Sequence, residues 1–264
     1  MYEVKKRKIW WQSSTRDGGF PAYKAAVEAH AKRFLGPEFS LEMHGVPYGT
    51  SELGWLSFKT MNDHEVLRSM LEANDAGFDA IALGCFQDPA MEEARELVDI
   101  PVFGMCEMSV KWAQLYGKRP AIINYDRPCS RKSLLLLQHR YGVLDSMVPT
   151  VYYDMPLDLL GKAFDDPGKV IDLSLEAAEQ AVEQGADVIM PGCGLLNLIL
   201  ANNGINRVPG TQIPIMDVTA VLMKAIESAV ILREETGLQI GRGAFYEKPD
   251  ARMIEAVRDI YYNR

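Results

Sequence analysis

The sequence predicts an α/β fold made of two similar lobes, each a parallel sheet flanked by helices. Two observations predict this fold: the chain repeats itself after about 110 residues, and short apolar segments alternate with longer amphipathic ones. Strands that alternate with helices are typical of parallel sheets covered on both faces. With 264 residues, 48% of them hydrophobic and 24% charged, the chain has the composition of a soluble globular protein.

The repeat rests on three pairs of segments that occur in the same order. GFDAIALGC ends at Cys85, and the similar GADVIMPGC ends at Cys193. IPVFGMCEMSVKWA is matched by IPIMDVTAVLMKA, and the segment that ends at Gln12 is matched with the segment that ends at Asn124. Self-similarity of this kind outweighs single-residue signals. We therefore expect two Rossmann-like lobes related by a pseudo-twofold axis.

The first unit contains four predicted strands, in the order IWW, LEMHGV, AIALG and IPVFG. AIALG is apolar throughout, as in a strand that is buried on both faces. Helices are predicted over about residues 21–35, over residues 61–76 with Asn62 as N-cap, over DPAMEEAREL, and over a segment that ends near Tyr116. In DPAMEEAREL, the early proline and the acidic residues after it favour a helix start.

The second unit repeats this order, with strands predicted at AIIN, MVPTVYY, DVIMPG and IPIMDV. Its helices are predicted over residues 128–141 and 167–184, over a short segment after DVIMPG, and from IPIMDV to about residue 235. A last helix, DARMIEAVRDIYY, is expected to pack on a lobe or on a partner subunit. We assign residues 1–117 and 218–264 to the first lobe and residues 118–217 to the second.

Charge and composition exclude several classes of protein. The net charge of −8 disfavours nucleic acid and anionic membranes as partners. The first residues lack an apolar run of signal-peptide length, and no segment approaches the roughly 18 apolar residues of a membrane span. We therefore expect a cytoplasmic protein, in which disulfides are rare. The four cysteines show no CxxC spacing and the four histidines are scattered, so neither a metal nor a cofactor is expected.

Cys85 and Cys193 are the candidate catalytic residues. Each follows a glycine at the end of a buried strand, where ligands bind in open parallel sheets. Each also precedes a predicted helix start, so we expect the helix dipole to lower both thiol pKa values from about 8.5. A pseudo-twofold axis between the lobes would make the two sulfurs face each other, as needed to take a proton from one face of a carbon and return one to the other. Cys106 and Cys129 are expected to be structural.

Three segments resemble the aspartate/glutamate/hydantoin racemase superfamily: GCFQDPAMEEARE, IPVFGMCE, and GADVIMPGCG followed by IPIMDV. The resemblance covers roughly residues 5–235, and GCF-x-DP with GMCE is most similar to the hydantoin and allantoin racemase branch. The segment from Gly194 to Asn197 is similar to arylmalonate decarboxylases, which keep only the second cysteine. Amino-acid racemases of the superfamily usually have Asn-Thr after the first cysteine, where Phe86 and Gln87 stand here, which disfavours free aspartate or glutamate as substrate.

The resemblance implies roles for individual residues. Cys85 and Cys193 become an acid/base pair, and the backbone N–H groups of Phe86 and Gly194 would stabilise charge on a substrate carbonyl or carboxylate. Glu107 is expected to support the site or cap a helix rather than to take part in the chemistry. Polar residues at two strand ends would bind polar atoms of the substrate; they are Gln12, Ser13, Ser14, Asn124 and Tyr125.

The expected activity is that of a cofactor-independent racemase or epimerase acting on a carbon acid next to a carbonyl, with a hydantoin-like ring preferred. A maleate isomerase-like or arylmalonate decarboxylase-like enzyme is an alternative within the superfamily. A non-catalytic small-molecule binding protein is an alternative from another class, because two-lobed α/β chains also serve as binders. The expected partners are a small-molecule substrate and further copies of the chain in a homo-oligomer.

Overall fold

The computed structural model describes residues 6–50 and 53–262. In these residues seven strands form two parallel sheets. The first sheet has the order β2-β1-β3-β4 and the second has the order β6-β5-β7. Their bounds are Arg7–Arg16 (β1), Phe39–Val46 (β2), Ala80–Leu83 (β3), Val102–Gly104 (β4), Pro120–Tyr125 (β5), Val151–Tyr153 (β6) and Val188–Pro191 (β7).

Helices connect the strands and cover the sheets. In chain order they are Pro21–Phe34 (α1), Leu56–Asp75 (α2), Met91–Leu97 (α3), Met105–Tyr116 (α4), Pro128–Arg140 (α5), Leu157–Lys162 (α6), Gly168–Glu183 (α7), Gly194–Asn202 (α8), Val218–Thr236 (α9) and Ala251–Tyr262 (α10). A short 3₁₀ turn covers Leu144–Ser146. The predicted α/β fold with two parallel sheets flanked by helices is confirmed.

The internal repeat is visible in both sheets. β1 and β5 are the first strands of their lobes. β1 lies between β2 and β3, and in the same way β5 lies between β6 and β7. Beyond β7, a parallel bridge between Ile189 and Ile215 occupies the place that β4 has in the first sheet. Strands β3 and β7 are buried along their whole length, which explains their continuous apolar sequences.

The turn before each buried strand is also repeated. Gly77 and Gly185 both have positive φ angles, of 73° and 91°, in the left-handed region that favours glycine. Two residues later, the carboxylates of Asp79 and Asp187 each accept a hydrogen bond from a backbone N–H near the start of the neighbouring strand, at 2.7 and 2.6 Å. The residues shared by the two sequence segments therefore hold the same local structure.

The prediction that Asn62 caps a helix is wrong. Helix α2 begins at Leu56, so Asn62 lies in its second turn, where its buried side chain donates to the carbonyl of Ser14 at 3.1 Å. The sequence pattern missed the first turn because its apolar residues face solvent: Leu56 and Phe58 are both exposed. A helix turn that buries no apolar stripe gives no periodic signal.

The two C-terminal helices contact elements of the predicted first lobe. Helix α9 begins at the N-cap Asp217, ends at Gly237 with φ of 76°, and packs against α1 and α4. Helix α10 lies on α2, where Arg258 forms an ion pair with Asp75 at 2.8 Å and Arg68 lies over the ring of Tyr262. The lobe boundaries stay a prediction. Within the described ranges, no helix is long and apolar enough to span a membrane.

Candidate active site

The carboxyl ends of β1, β3, β5 and β7 open onto one cleft of about 490 Å³ that is lined by both lobes. The lobes approach closely at its floor, because Gly194 has no side chain. A Cβ atom on Gly194 would lie 2.9 Å from the carbonyl oxygen of Gly84 and 2.9 Å from the hydroxyl of Tyr23. The two Gly-Cys turns therefore meet across the boundary between the lobes.

Cys85 and Cys193 both line this cleft as free, half-buried thiols. Cys106 and Cys129 are free as well but buried, and neither lines the cleft. The structure thus brings to one cleft the two cysteines that the repeat singled out and leaves the other two outside its lining.

Cys193 is the N-cap residue of α8, as the sequence predicts. The backbone N–H groups of Leu195 and Leu196 favour its thiolate form, as does the hydroxyl of Tyr125, which lies 3.7 Å from the sulfur. Three donors from one helix start and one strand end thus surround this sulfur, an arrangement that stabilises negative charge.

Cys85 has a different setting, because no helix starts directly after it. Helix α3 begins only at Met91. The side chain of Ser14, the backbone N–H of Gln87 and the positive charge of Lys59 all act to lower the pKa of Cys85. The Ser14 hydroxyl nevertheless forms no hydrogen bond of good geometry with the sulfur. The turn itself is closed by a hydrogen bond from the N–H of Asp88 to the Cys85 carbonyl, at 3.1 Å.

The predicted lowering of both thiol pKa values is wrong for the protein without substrate. Burial raises the pKa of Cys85 to about 11, and burial also raises the pKa of Cys193. The N–H and hydroxyl donors act in the opposite direction, but removing a thiolate from water outweighs them. The helix dipole alone would favour the thiolate, but the cost of its desolvation is larger at both cysteines.

The structure brings all but one of the predicted substrate-binding residues to the cleft: Ser13, Ser14, Phe86, Asn124, Tyr125 and Gly194 line it. Gln12 does not. Its side chain is fully buried, accepts a hydrogen bond from Trp10 Nε1 at 2.7 Å and donates to the carbonyl of Ser13 at 2.8 Å.

The position of Gln12 follows from the register of the repeat. The N–H of Gly84 donates to the carbonyl of Gln12, just as the N–H of Gly192 donates to the carbonyl of Ile123. Gln12 is therefore the counterpart of Ile123, and the predicted match with Asn124 is wrong by one residue. Since side chains alternate along a strand, a shift by one moves the side chain to the other face.

Comparison with known proteins agrees with this geometry. The model of the family described as Asp/Glu/Hydantoin racemase matches residues 22–226.

The chain belongs to this family.

Two curated relatives are named hydantoin racemase. The one from Rhizobium meliloti is 27% identical over 164 residues, which are 62% of this chain and 65% of the relative. The one from Paenarthrobacter aurescens is 28% identical over 177 residues, which are 65% of this chain and 68% of the relative. The matched part thus spans about two thirds of each relative's length.

Two solved structures share the fold. An allantoin racemase from Klebsiella pneumoniae superposes with a TM-score of 0.79 at 22% identity, covering 93% of this chain and 94% of that chain. An allantoin racemase from Pseudomonas fluorescens gives a TM-score of 0.76 at 18% identity, covering 92% and 97%. The predicted superfamily and its hydantoin and allantoin branch are confirmed by these similarities together.

Helix α2 presents to the cleft a polar stripe that was not predicted from the sequence. Lys59, Asn62 and Asp63 line it, and Lys59 Nζ forms an ion pair with Asp63. Their spacing of three and four residues puts them on one helix face, and this spacing is the signal that could have revealed them. Arg127, from the second lobe, also lines the cleft and donates to two backbone carbonyls.

Tyr23 was also missed, because it looks like a core residue in the sequence. It is buried, and its hydroxyl donates to the carbonyl of Gly84 at 3.1 Å. Burial raises the pKa of Tyr23, so that its hydroxyl stays protonated and remains a donor. This phenol fixes the turn that carries Cys85.

The residue that caps α4 is Asp88 and not Glu107. The carboxylate of Asp88 accepts hydrogen bonds from the backbone N–H groups of Cys106 and Glu107 at the start of α4, at 3.0 and 2.8 Å. Glu107 instead pairs with Arg95 at 2.5 Å and with Lys111 at 2.6 Å, outside the cleft. Both acids thus support the wall behind Cys85 rather than reach a substrate.

Proposed function

We propose that this chain is a cofactor-independent racemase or epimerase for a carbon acid next to a carbonyl, with a hydantoin-like ring as substrate. One observation carries the proposal: two free thiols from equivalent turns of opposite lobes, Cys85 and Cys193, line one cleft. Membership of the Asp/Glu/Hydantoin racemase family supports the reaction type. The names of the two curated relatives support the ring.

The reaction needs one sulfur as thiolate and the other as thiol. The thiolate removes the proton from the ring carbon and becomes a thiol, while the electron pair moves onto the neighbouring carbonyl oxygen. The opposite thiol then gives its proton to the other face of the carbon and becomes the thiolate. The backbone N–H groups of Phe86 and Gly194, next to the two sulfurs, are the proposed donors to the charged oxygen.

The cleft wall favours a neutral ring with an apolar substituent. Leu195 and Phe20 contribute apolar surface to the cleft, whereas the side chain of Phe86 is buried beside it. A zwitterionic amino acid would need polar partners to offset the desolvation of its charges, which costs several kcal/mol per ion. The Lys59–Asp63 pair supplies little of this, because the two charges already neutralise each other.

The test is polarimetry and deuterium exchange with the purified protein. We expect racemisation of at least one 5-substituted hydantoin or related cyclic imide and no turnover of aspartate or glutamate. The variant that carries both Cys85→Ser and Cys193→Ser is the control for buffer-catalysed exchange. Activity on glutamate without activity on any hydantoin would overturn the proposed substrate class.

Further assays with the same purified protein separate the alternative functions. Decarboxylation of substituted malonates that survives Cys85→Ser would favour a decarboxylase, and a covalent adduct with maleate would favour an isomerase. Binding without exchange of any substrate proton would favour a non-catalytic binder. The decarboxylase-like Asn197 gives that alternative no support, because its buried amide donates to Asp217 and Thr219. A homo-oligomer and a cytoplasmic location stay predictions.

A further inference from the structure

The two sulfurs in the cleft have partners of different kinds. The hydroxyl of Tyr125, at the carboxyl end of β5, lies 3.7 Å from the sulfur of Cys193 and donates to it. At the equivalent place in the first lobe stands Ser14, whose shorter side chain forms no such hydrogen bond with Cys85. The difference is built into the strands, because β1 has Ser13 and Ser14 at the positions where β5 ends in Asn124 and Tyr125.

We infer that Tyr125 is a positioning residue that makes Cys193 the sulfur that ionises more readily, so that Cys193 serves as the base and Cys85 as its protonated partner. This inference rests on the proposed two-cysteine reaction and goes beyond it, since it assigns the first ionisation to one of the two sulfurs. Tyr125 acts through Cys193, so it is distinct from the donors proposed for the substrate oxygen.

A hydrogen bond from a phenol selects the charged form of its acceptor. Hydrogen bonds to ionised groups are roughly twice as strong as neutral ones, so a thiolate gains more from Tyr125 than a thiol does. Tyr125 can donate over the whole physiological range, because the negative charge on Cys193 and burial raise the pKa of its hydroxyl well above the ordinary value. The donors from α8 act on Cys193 in the same direction.

One charged group acts against this preference: Lys59 favours the Cys85 thiolate, but its charge is paired with that of Asp63. The hydroxyls of Tyr23 and Tyr153 are bonded to the Gly84 carbonyl and to Ser174, and burial raises the pKa of both, so they stay neutral. The guanidinium of Arg127 lies 5.7 Å from the centre of the Tyr125 ring and acts to lower the pKa of the Tyr125 hydroxyl, but the charge on Cys193 and burial outweigh it.

Alkylation tests the inference without any substrate. In Tyr125→Phe we expect iodoacetamide to modify Cys193 about tenfold more slowly at pH 8, since losing one donor to a thiolate raises its pKa by about one. Peptide mass spectrometry should show the rate at Cys85 unchanged within about twofold, because the loss of a hydrogen bond acts mainly on the two groups that it joined. Slow reaction of the buried Cys106 and Cys129 reports an intact fold.

Tyr153→Phe is the matched control. It removes a neighbouring phenol whose hydroxyl is hydrogen-bonded to Ser174 at 3.1 Å, and we expect no change at Cys193. If Cys193 in Tyr125→Phe is alkylated at the wild-type rate, the inference is wrong. Equal slowing at both active-site cysteines would also overturn it, because it would show a general change in the cleft.

A second measurement uses the half-reactions. Cys85→Ser leaves Cys193 as the one base of the pair, and Cys193→Ser leaves Cys85. Adding Tyr125→Phe should slow deuterium exchange about tenfold in the Cys85→Ser background and by less than about twofold in the Cys193→Ser background. Equal slowing in both backgrounds would instead make Tyr125 a substrate ligand. A further outcome is that no hydantoin proton exchanges while Tyr125→Phe still slows alkylation of Cys193 but not of Cys85. That result would exclude the proposed function and leave the role of Tyr125 in place.

Discussion

The Cys85 turn and the Cys193 turn occupy equivalent places in the two lobes but hold their sulfurs by different means. Cys193 is followed at once by α8, whose first N–H groups face the sulfur. Cys85 is followed by a loop that runs to the start of α3, in which Asp88 and Ala90 have positive φ angles, of 41° and 51°. Such angles cost a non-glycine residue about 1–2 kcal/mol each, so other contacts must stabilise this loop.

Asp88 makes those contacts. Its N–H closes the turn on the carbonyl of Cys85, and its carboxylate caps the start of α4 and accepts a hydrogen bond from the hydroxyl of Tyr141, on the second lobe, at 2.6 Å. Two copies of a repeat can thus hold a reactive sulfur at equivalent positions by different means. The Cys193 turn is held by the start of a helix, and the Cys85 turn is held by a buried carboxyl group.

The largest expected effect concerns the sulfurs themselves. Cys85→Ser and Cys193→Ser should each lower racemisation by about 10²–10⁴-fold, the contribution of one general acid or base. In the proposed mechanism the sulfurs act on opposite sides of the substrate, so the two variants should retain proton exchange for opposite enantiomers. Chiral chromatography with deuterium labelling measures this.

Cys129→Ser is the control for that experiment. Its sulfur is buried and lies 3.3 Å from the hydroxyl of Ser133, so a serine there keeps a partner and should leave the rate unchanged within about twofold. A single active-site variant that racemises at the wild-type rate would exclude the two-base mechanism.

The next effect compares the glycines before the two cysteines. A Cβ on Gly84 would overlap the rigid, buried indole of Trp11, whereas one on Gly192 would lie 2.9 Å from the Cγ2 methyl of Ile122 and 3.1 Å from Asn124 Cβ, a smaller overlap. Overpacking costs about 1–3 kcal/mol and more where the neighbour cannot move. We expect Gly84→Ala to lose about 3 kcal/mol in urea unfolding and Gly192→Ala about 1 kcal/mol. Equal losses in the free energy of unfolding would show that the two turns accommodate an added methyl group equally well.

Much of the fold could be predicted because the repeat and the apolar periodicity report burial. AIALG and DVIMPG are apolar along their length because both faces of β3 and β7 are covered. The start of α2 could not be predicted in this way, since Leu56 and Phe58 face solvent. Sequence periodicity describes what a helix buries, and this turn buries little.

The two cysteines of the candidate site, Cys85 and Cys193, could be predicted because they have reactive side chains and lie at matching positions of the repeat. Residues that act through three-dimensional contacts gave no such signal: Tyr23 and Asp88 hold the Cys85 turn through partners far along the chain. The thiol pKa values were also beyond the sequence, because burial depends on how the lobes close and here it outweighs the local dipole.

A smaller effect should appear in the pH dependence of stability. Burial raises the pKa of Asp88 to about 7, so the folded protein keeps this proton at pH values where the unfolded chain has released it. The contribution of Asp88 to stability should therefore fall as the pH rises from about 4 to about 7 and level off above that. Urea unfolding between pH 5 and pH 8 measures it.

Asp88→Asn isolates this contribution, because an amide does not titrate. It should lose about 1–3 kcal/mol at pH 5, through hydrogen bonds that an amide cannot fully replace, and less at pH 8. Tyr141→Phe removes a donor to the carboxylate and should make the wild-type slope steeper. A stability difference between wild type and Asp88→Asn that does not change with pH would contradict the raised pKa.

The smallest effect on catalysis is expected at Gln12, and it tests the register of the repeat. Gln12→Leu removes the acceptor of the indole N–H of Trp10 and one donor from each of the carbonyls of Ser13 and Gly45, which should cost about 1–2 kcal/mol in unfolding. Because the side chain points away from the cleft, kcat/KM for a hydantoin should stay within about twofold of wild type, whereas Ser13→Ala should raise KM severalfold if Ser13 binds the ring. A large drop in kcat/KM for Gln12→Leu with unchanged stability would place Gln12 in the cleft and restore its match with Asn124.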